Sequence, residues 1–188
     1  MAPSKHLVLV CGFARAGKDT FARGLKAGAS NKVGRFAYAD QLKCALEFAA
    51  EELGVEVDYT DDSQKAMDRP LFVEFGKAMR RRDKDVFARK LGSAMMLDSL
   101  KNMPSRVVTD WRYFNEYEFA KKLCDERAYS LHTVHIVRHG WKAANEEEAI
   151  NMQEILDNVP IDETIFATSG DEQAVYDHGV RIAKLWHL

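Results

Sequence analysis

Apolar positions along the chain fall into short continuous runs and into sets spaced three and four apart. The run from His6 to Cys11, "HLVLVC", is closed by Gly12 and predicts a strand buried on both faces. Lys18 to Lys26 has the composition of a helix. "GRFAYAD", Gly34–Asp40, predicts a second strand, followed by a helix from about Gln41 to Leu53 that Gly54 ends. "RPLFVEFGKAMRRR" and "DVFARKLGSAMMLDSL" read as two helices, the second with Phe87, Leu91 and Met95 at fourfold spacing and stopped by Pro104. "SRVVTD" predicts a strand, "FNEYEFAKKLCDE" a helix, and "LHTVHIVR" and "ETIFAT" two more strands. A helix over "DEQAVYDHGVRIAKLW" puts Val175, Gly179, Ile182, Ala183 and Trp186 on one side. Strands alternating with helices predict an α/β protein with a parallel sheet, whose ligands bind beyond the strand C-termini. No repeat, low-complexity tract or Pro/Gly-rich linker divides the 188 residues, so a single domain over 1–188 is expected.

Composition adds exclusions. Hydrophobic residues at 46% and charged residues at 30% are ordinary for a globular protein. A formal net charge of -2 supplies no global basic field, which argues against a nucleic-acid partner. Basic charge is local: Lys77 to Lys90 holds seven Lys or Arg against two Asp, either a solvated helix face or a phosphate site. Cys11, Cys44 and Cys124 are widely spaced, which fits a reduced thiol set and neither zinc nor disulfides. The apolar part of the opening segment is too short for a signal peptide, and no stretch approaches a membrane span. A cytoplasmic location without membrane attachment is the expectation.

Chemistry concentrates first in "GFARAGKDT", Gly12 to Thr20. It matches the phosphate-binding P-loop in Gly12, Gly17 and Lys18. Asp19 stands where that pattern has Ser or Thr, and Thr20 comes one place late. An apolar strand before it and a helix after it supply the required context. Backbone N–H groups from Ala14, Arg15 and Ala16 through Thr20 would cradle phosphates, with Lys18 neutralising their oxygens. Asp19 can serve Mg²⁺, which prefers oxygen ligands, or cap the helix N-terminus. The bland alternative is a Gly-containing strand-to-helix turn.

A second block, "RVVTDWRYFNEYEF", places Asp110 at a strand end on the same side of the sheet, with Arg112 and Glu116 following. These residues could line a site near Mg²⁺. Equally, Asp110 could cap a helix while Arg112 and Glu116 pair at i,i+4. Phosphoryl transfer is mostly positioning and charge neutralisation, so Arg80 and Arg82, at the end of one predicted helix, suit an acceptor phosphate. Phe87 beyond them could stack on a base or belong to the core.

"GKDT", "ADQLK", "TDWRYFNE" and "VHIVRHG" occur in the order found in phage-type deoxynucleoside monophosphate kinases, and the chain resembles that family from about His6 to Gly140. More distantly it is similar to animal phosphomevalonate kinase. The resemblance implies a three-layer P-loop kinase fold, a central parallel sheet of about five strands flanked by helices. It also implies ATP and Mg²⁺ held by Lys18, Asp19 and Thr20. Asp40 and Lys43 would belong to the acceptor site, with Lys43 near its phosphate. Asp110, Arg112 and Glu116 would line the monophosphate site, Arg112 on the phosphate and Glu116 on the base. Arg138 would reach the transferring oxygens from a lid at about 138–160, and acceptor-binding helices would occupy about 40–103. Catalysis would rest on Lys18, Asp110, Arg112 and Arg138.

Departures from the family pattern include Gln41 for Pro, Trp111 for Thr and His139 for Pro, and they bear on lid geometry and substrate choice. The leading expectation is transfer from Mg-ATP to a dNMP, a small-molecule substrate, and a homodimer stays open. Other readings are a P-loop kinase of another phosphorylated small molecule such as phosphomevalonate, and a nucleotide-gated binding module without transfer.

Overall fold

The computed structural model describes residues 5–99, 103–168 and 170–188. Among them, five strands form one parallel sheet: β1 (Lys5–Cys11), β2 (Val33–Phe36), β3 (Ser105–Val108), β4 (Tyr129–Arg138) and β5 (Glu163–Ala167). Their spatial order is β2-β3-β1-β4-β5, with every pair parallel. Parallel pairs require crossovers, and helices supply them on both faces. This is a three-layer α/β fold, a five-stranded parallel sheet with helices on both faces.

The run "LVLVC", Leu7–Cys11, is apolar at every position because β1 lies at the sheet centre. Its alternate residues divide between two cores. Val8 and Val10 join Phe21, Leu25, Val175 and Ile182 under α1 (Lys18–Gly28) and α8 (Glu172–Leu185). Leu7, Leu9 and Cys11 join Phe87, Leu91, Trp111 and Ile155 on the other face. That face is covered by α5 (Val86–Ser99), α6 (Phe114–Arg127) and α7 (Glu146–Asn158). Burial pushes the Cys11 thiol up to about 12, so it is a core group and not a nucleophile. Leu100, at the end of the helix expected before Pro104, lies outside the described residues.

The seam between α1 and α8 is unusually close. A Cβ on Gly24 would stand 2.0 Å from the Tyr176 carbonyl oxygen, and one on Gly179 would stand 2.4 Å from that of Phe21. Glycine there lets two backbones touch where any side chain would part them.

Three segments differ from expectation. β2 ends at Phe36, and Tyr38 to Asp40 open α2 (Tyr38–Glu52) instead of continuing the strand. The reason lies 72 residues away: Asp110, just beyond β3, accepts the Tyr38 N–H at 2.8 Å and the Ala39 N–H at 2.8 Å. A carboxylate on the free N–H groups of a helix start is a cap, here supplied by another strand. A short α3 (Asp62–Met67), capped by Asp61 accepting from Ser63 N–H at 2.7 Å, precedes α4 (Arg69–Arg82). It buries no residue, so it left no periodic signal. The segment "WKAANEEEAINMQEIL" contains α7, which starts on an Asn145 cap and buries Met152 and Ile155. Among the described residues no helix is long and apolar enough to cross a membrane.

Candidate active site

β1 delivers the chain to Gly12, whose φ of 143° and closeness to the Ile136 carbonyl (2.5 Å from a notional Cβ) admit only glycine. Gly17 at φ 104° closes the loop, and Arg15 takes φ 62°, a left-handed conformation seldom used outside glycine. Within this turn Lys18 is buried. Its Nζ donates to the carbonyl oxygens of Gly12 at 2.7 Å and Phe13 at 2.8 Å. Burial lowers the Lys18 pKa, and the neighbouring Arg112 charge lowers it further, against Glu148 and Asp110. An ammonium so placed favours an anionic partner.

Asp19 begins α1 with its side chain 74% exposed, so it is free of the core and meets Arg35 Nη2 at 3.3 Å. Arg35 Nη1 lies 2.5 Å from Asp40 Oδ2, and Lys43 Nζ lies 3.2 Å from Asp40 Oδ1. Asp19, Arg35, Asp40 and Lys43 therefore form an alternating chain of charge from the start of α1 to α2. The Thr20 hydroxyl accepts from Arg23 at 3.2 Å. Asp19 and Thr20 offer the oxygen donors that suit Mg²⁺, at the start of α1 beside the loop.

A cleft of about 390 Å³ opens between the loop from Arg15 to Thr20, Arg138, and the β5–α8 turn with Thr168, Asp171 and Val175. Its size is that of a small-molecule site. The N-termini of both α1 and α8 border it, each a positive dipole end. Asp171 caps α8 by accepting the Ala174 N–H at 3.0 Å.

Ala14 does not line this cleft, contrary to the expectation that its N–H joins the phosphate cradle. That N–H donates to Glu148 Oε1 at 3.1 Å, and its carbonyl accepts from Trp141 Nε1 at 2.8 Å. Arg138 Nη1 donates to the Arg15 carbonyl at 2.8 Å, and its guanidinium lies 4.5 Å from the Trp141 ring centre. The turn after β4 thus clasps the first half of the loop.

On the other flank, Asp110 has both oxygens on α2, and burial raises its pKa. It caps α2 and not α6, the helix nearer in sequence. Arg112 is exposed. Glu116 is 2% exposed, and its Oε2 accepts the N–H groups of Arg112 at 3.0 Å and Tyr113 at 3.2 Å. Its partner at Arg112 is therefore the backbone. Burial pushes the Glu116 carboxyl up to about 8, outweighing Arg80, whose Nη2 stands 3.8 Å from Oε1. Arg80 is held between two rings, 4.7 Å from Phe87 and 4.3 Å from Tyr113. Phe87 is 5% exposed and packs with Leu91, so it serves the core and is no open platform for a base. Arg82 is exposed on α4, away from the inward direction taken by Arg80.

Sequence reading missed Arg35, Trp141, Glu148 and Asp171. Glu148 sits in a run of three glutamates that reads as a solvated helix start, and Arg35 belongs to no motif.

No family model matches the chain, and no curated protein sequence does. Among solved structures it is similar to the APS kinase of Mycobacterium tuberculosis, at 11% identity and a TM-score of 0.49, covering 99% of each chain. It is also similar to a sugar kinase from a Janibacter species, at 13% identity and a TM-score of 0.48, covering 98% of this chain and 94% of that one. The shikimate kinase of Bacteroides thetaiotaomicron stands at 12% identity and a TM-score of 0.46, covering 98% of this chain and 100% of that one.

Proposed function

We propose that the chain is a Mg-ATP-dependent kinase that moves the γ-phosphoryl group of ATP to a deoxynucleoside 5′-monophosphate, giving the dNDP and ADP. The observation that carries this reading is the setting of Lys18. The loop that bears it opens on one side to the cleft with Arg138, and its ammonium feels Arg112 and Asp110 from the other. A donor site and a charged acceptor flank meeting at one lysine is the layout that in-line transfer needs.

Lys18 would exchange its two carbonyl partners for phosphate oxygens, gaining a charge-assisted bond in each case. Arg138, already oriented by the Arg15 carbonyl and the Trp141 ring, would face the transferring group. Asp19 and Thr20 would hold Mg²⁺, with Arg35 released from Asp19. Mg²⁺, when bound, would supply positive charge against the phosphates of the nucleotide. Arg112 and Lys43 would take the acceptor phosphate, while Arg80 and the free oxygen of Glu116 would meet the remainder of the acceptor. Asp110 orients α2, the helix that carries Lys43.

One observation favours a second acceptor class. Glu116 spends Oε2 on capping α6, which leaves less of it for reading a base and suits a phosphorylated acceptor without one, such as phosphomevalonate. A coupled ADP-release assay with Mg-ATP over dNMPs, NMPs and phosphomevalonate decides. Turnover on dNMPs supports the first reading, and turnover on phosphomevalonate alone selects the second. ADP release with none of them rejects both in favour of nucleotide binding without transfer.

A further inference from the structure

The first turn of α7 makes two grips in opposite directions. Glu148 holds the phosphate loop through the Ala14 N–H, and its other oxygen accepts the Ala144 N–H at 2.7 Å. Glu147, one residue earlier, lies 2.9 Å from Lys77 Nζ on α4 and accepts from the Tyr113 hydroxyl at 3.3 Å. Tyr113 in turn carries the Arg80 guanidinium on its ring. The turn between the grips is stiff. Asn145 caps it by accepting the Glu148 N–H at 2.8 Å, and buried Met152 and Ile155 anchor the same helix.

We propose that Glu147 and Glu148 are positioning residues that couple the acceptor flank to the donor loop. The proposal rests on the phosphoryl-transfer reading for its purpose but not for its detection. The physical argument is short. A loop that must present N–H groups to phosphates binds best when its conformation is fixed beforehand. The Ala14 peptide is fixed on both sides, its N–H by Glu148 and its carbonyl by Trp141. α7, which supplies the Glu148 contact, is tied through Glu147 to α4 and to Tyr113, whose ring carries Arg80. Displacement of α4 or Tyr113 by an acceptor therefore reaches the loop through one turn of helix. Coupling of this kind is reciprocal: each ligand changes the affinity for the other by the same factor.

The test perturbs one flank and reads the other. Lys77→Ala alters a half-exposed side chain on α4 that does not line the cleft. ADP affinity is measured by calorimetry, with Trp141 emission as a local reporter. Lys77→Ala is expected to weaken ADP binding about fivefold and to shift Trp141 emission, while Lys77→Arg restores both. In a Glu148→Ala background the Lys77→Ala effect on ADP should vanish, since the connection is already cut. Glu147→Ala, which removes the Lys77 partner and leaves Glu148 on the Ala14 N–H, provides the same cycle should the Glu148 variant fail to fold. Unchanged ADP affinity in folded Lys77→Ala, or equal effects in both backgrounds, overturns the proposal. The cycle uses no transfer reaction. Coupled ADP binding without turnover on any acceptor would sink the kinase reading alone, whereas turnover without coupling would sink this one alone.

Discussion

Replacing Glu116 by Gln asks whether a buried carboxyl at the start of α6 is held neutral. Burial raises its pKa from 4.5 to about 8 in the folded chain, and the Arg80 guanidinium at 3.8 Å does not reverse this. The unfolded chain releases the proton near 4.5. Between the two values the folded state holds more protons than the unfolded one, so stability from this site falls as pH rises. One carboxyl contributes a slope of at most about 1.4 kcal/mol per pH unit. Below the window both states are protonated, above it both are ionised, and the slope disappears.

Gln removes the titration while keeping a carbonyl oxygen for the N–H groups of Arg112 and Tyr113. Its own cost is therefore about 1 kcal/mol. The variant should be less stable than wild type near the acid end of the window and should overtake it about one pH unit above that end, with the gap widening until about pH 8. Urea unfolding followed by circular dichroism at several pH values gives the difference directly. A difference that does not change with pH would refute the argument and would mean an ionised Glu116 paired with Arg80. The same variant addresses recognition through kcat/KM across dNMPs. A changed order among bases supports contact with the base, and a uniform ratio rejects it.

Lys18→Ala should abolish turnover in a folded protein, at a cost of about 1–2 kcal/mol for its two lost carbonyl bonds; ADP release by the purified variant would refute the phosphate-loop assignment. Asp19→Asn should reduce the Mg²⁺ dependence of turnover more than ATP affinity in metal-free buffer, and a shift in Tm alone would leave it a helix-end role. Gly24→Ala should cost roughly 2–3 kcal/mol, because its Cβ would stand 2.0 Å from the Tyr176 carbonyl oxygen; an unchanged Tm would contradict the close seam. His132 is pushed down to about 4 by burial, with help from His6, whose Nδ1 lies 3.0 Å from its Nε2. Its contribution is present above about pH 6.5 and is lost toward 4, about 1–2 kcal/mol after discounting for solvent; His132→Gln should flatten that acid limb in thermal melts.

The centre of the fold was legible because its signals are local. An apolar run before Gly12 can only be a doubly covered strand, and the Phe87, Leu91, Met95 spacing names the buried face of α5. The start of α2 was not legible, since its cap is Asp110, which the chain brings there only after three more helices and β3. Arg80 and Arg82 look alike in sequence, yet the helical turn separates them by about 200°. Only Arg80 meets Phe87 and Tyr113. Glu148 was hidden for a different reason. Three adjacent glutamates at a helix start carry the ordinary signature of dipole compensation, and nothing local distinguishes the one that reaches the Ala14 N–H.

The backbone contact between α1 and α8 has a mechanical consequence. Both helices begin at the cleft, one at Lys18 and the other just after Asp171, and their axes cannot slide without driving carbonyl oxygens into glycine α-carbons. The α1–α8 pair is then a stationary jaw, welded along three glycines including Gly28, whose added Cβ would lie 2.5 Å from the Val180 oxygen. On the proposed reading, any closure around a second substrate would fall to elements outside this seam. On that reading grip and bite would change independently: substitutions along the glycine seam would alter the fixed jaw, and substitutions elsewhere the moving one.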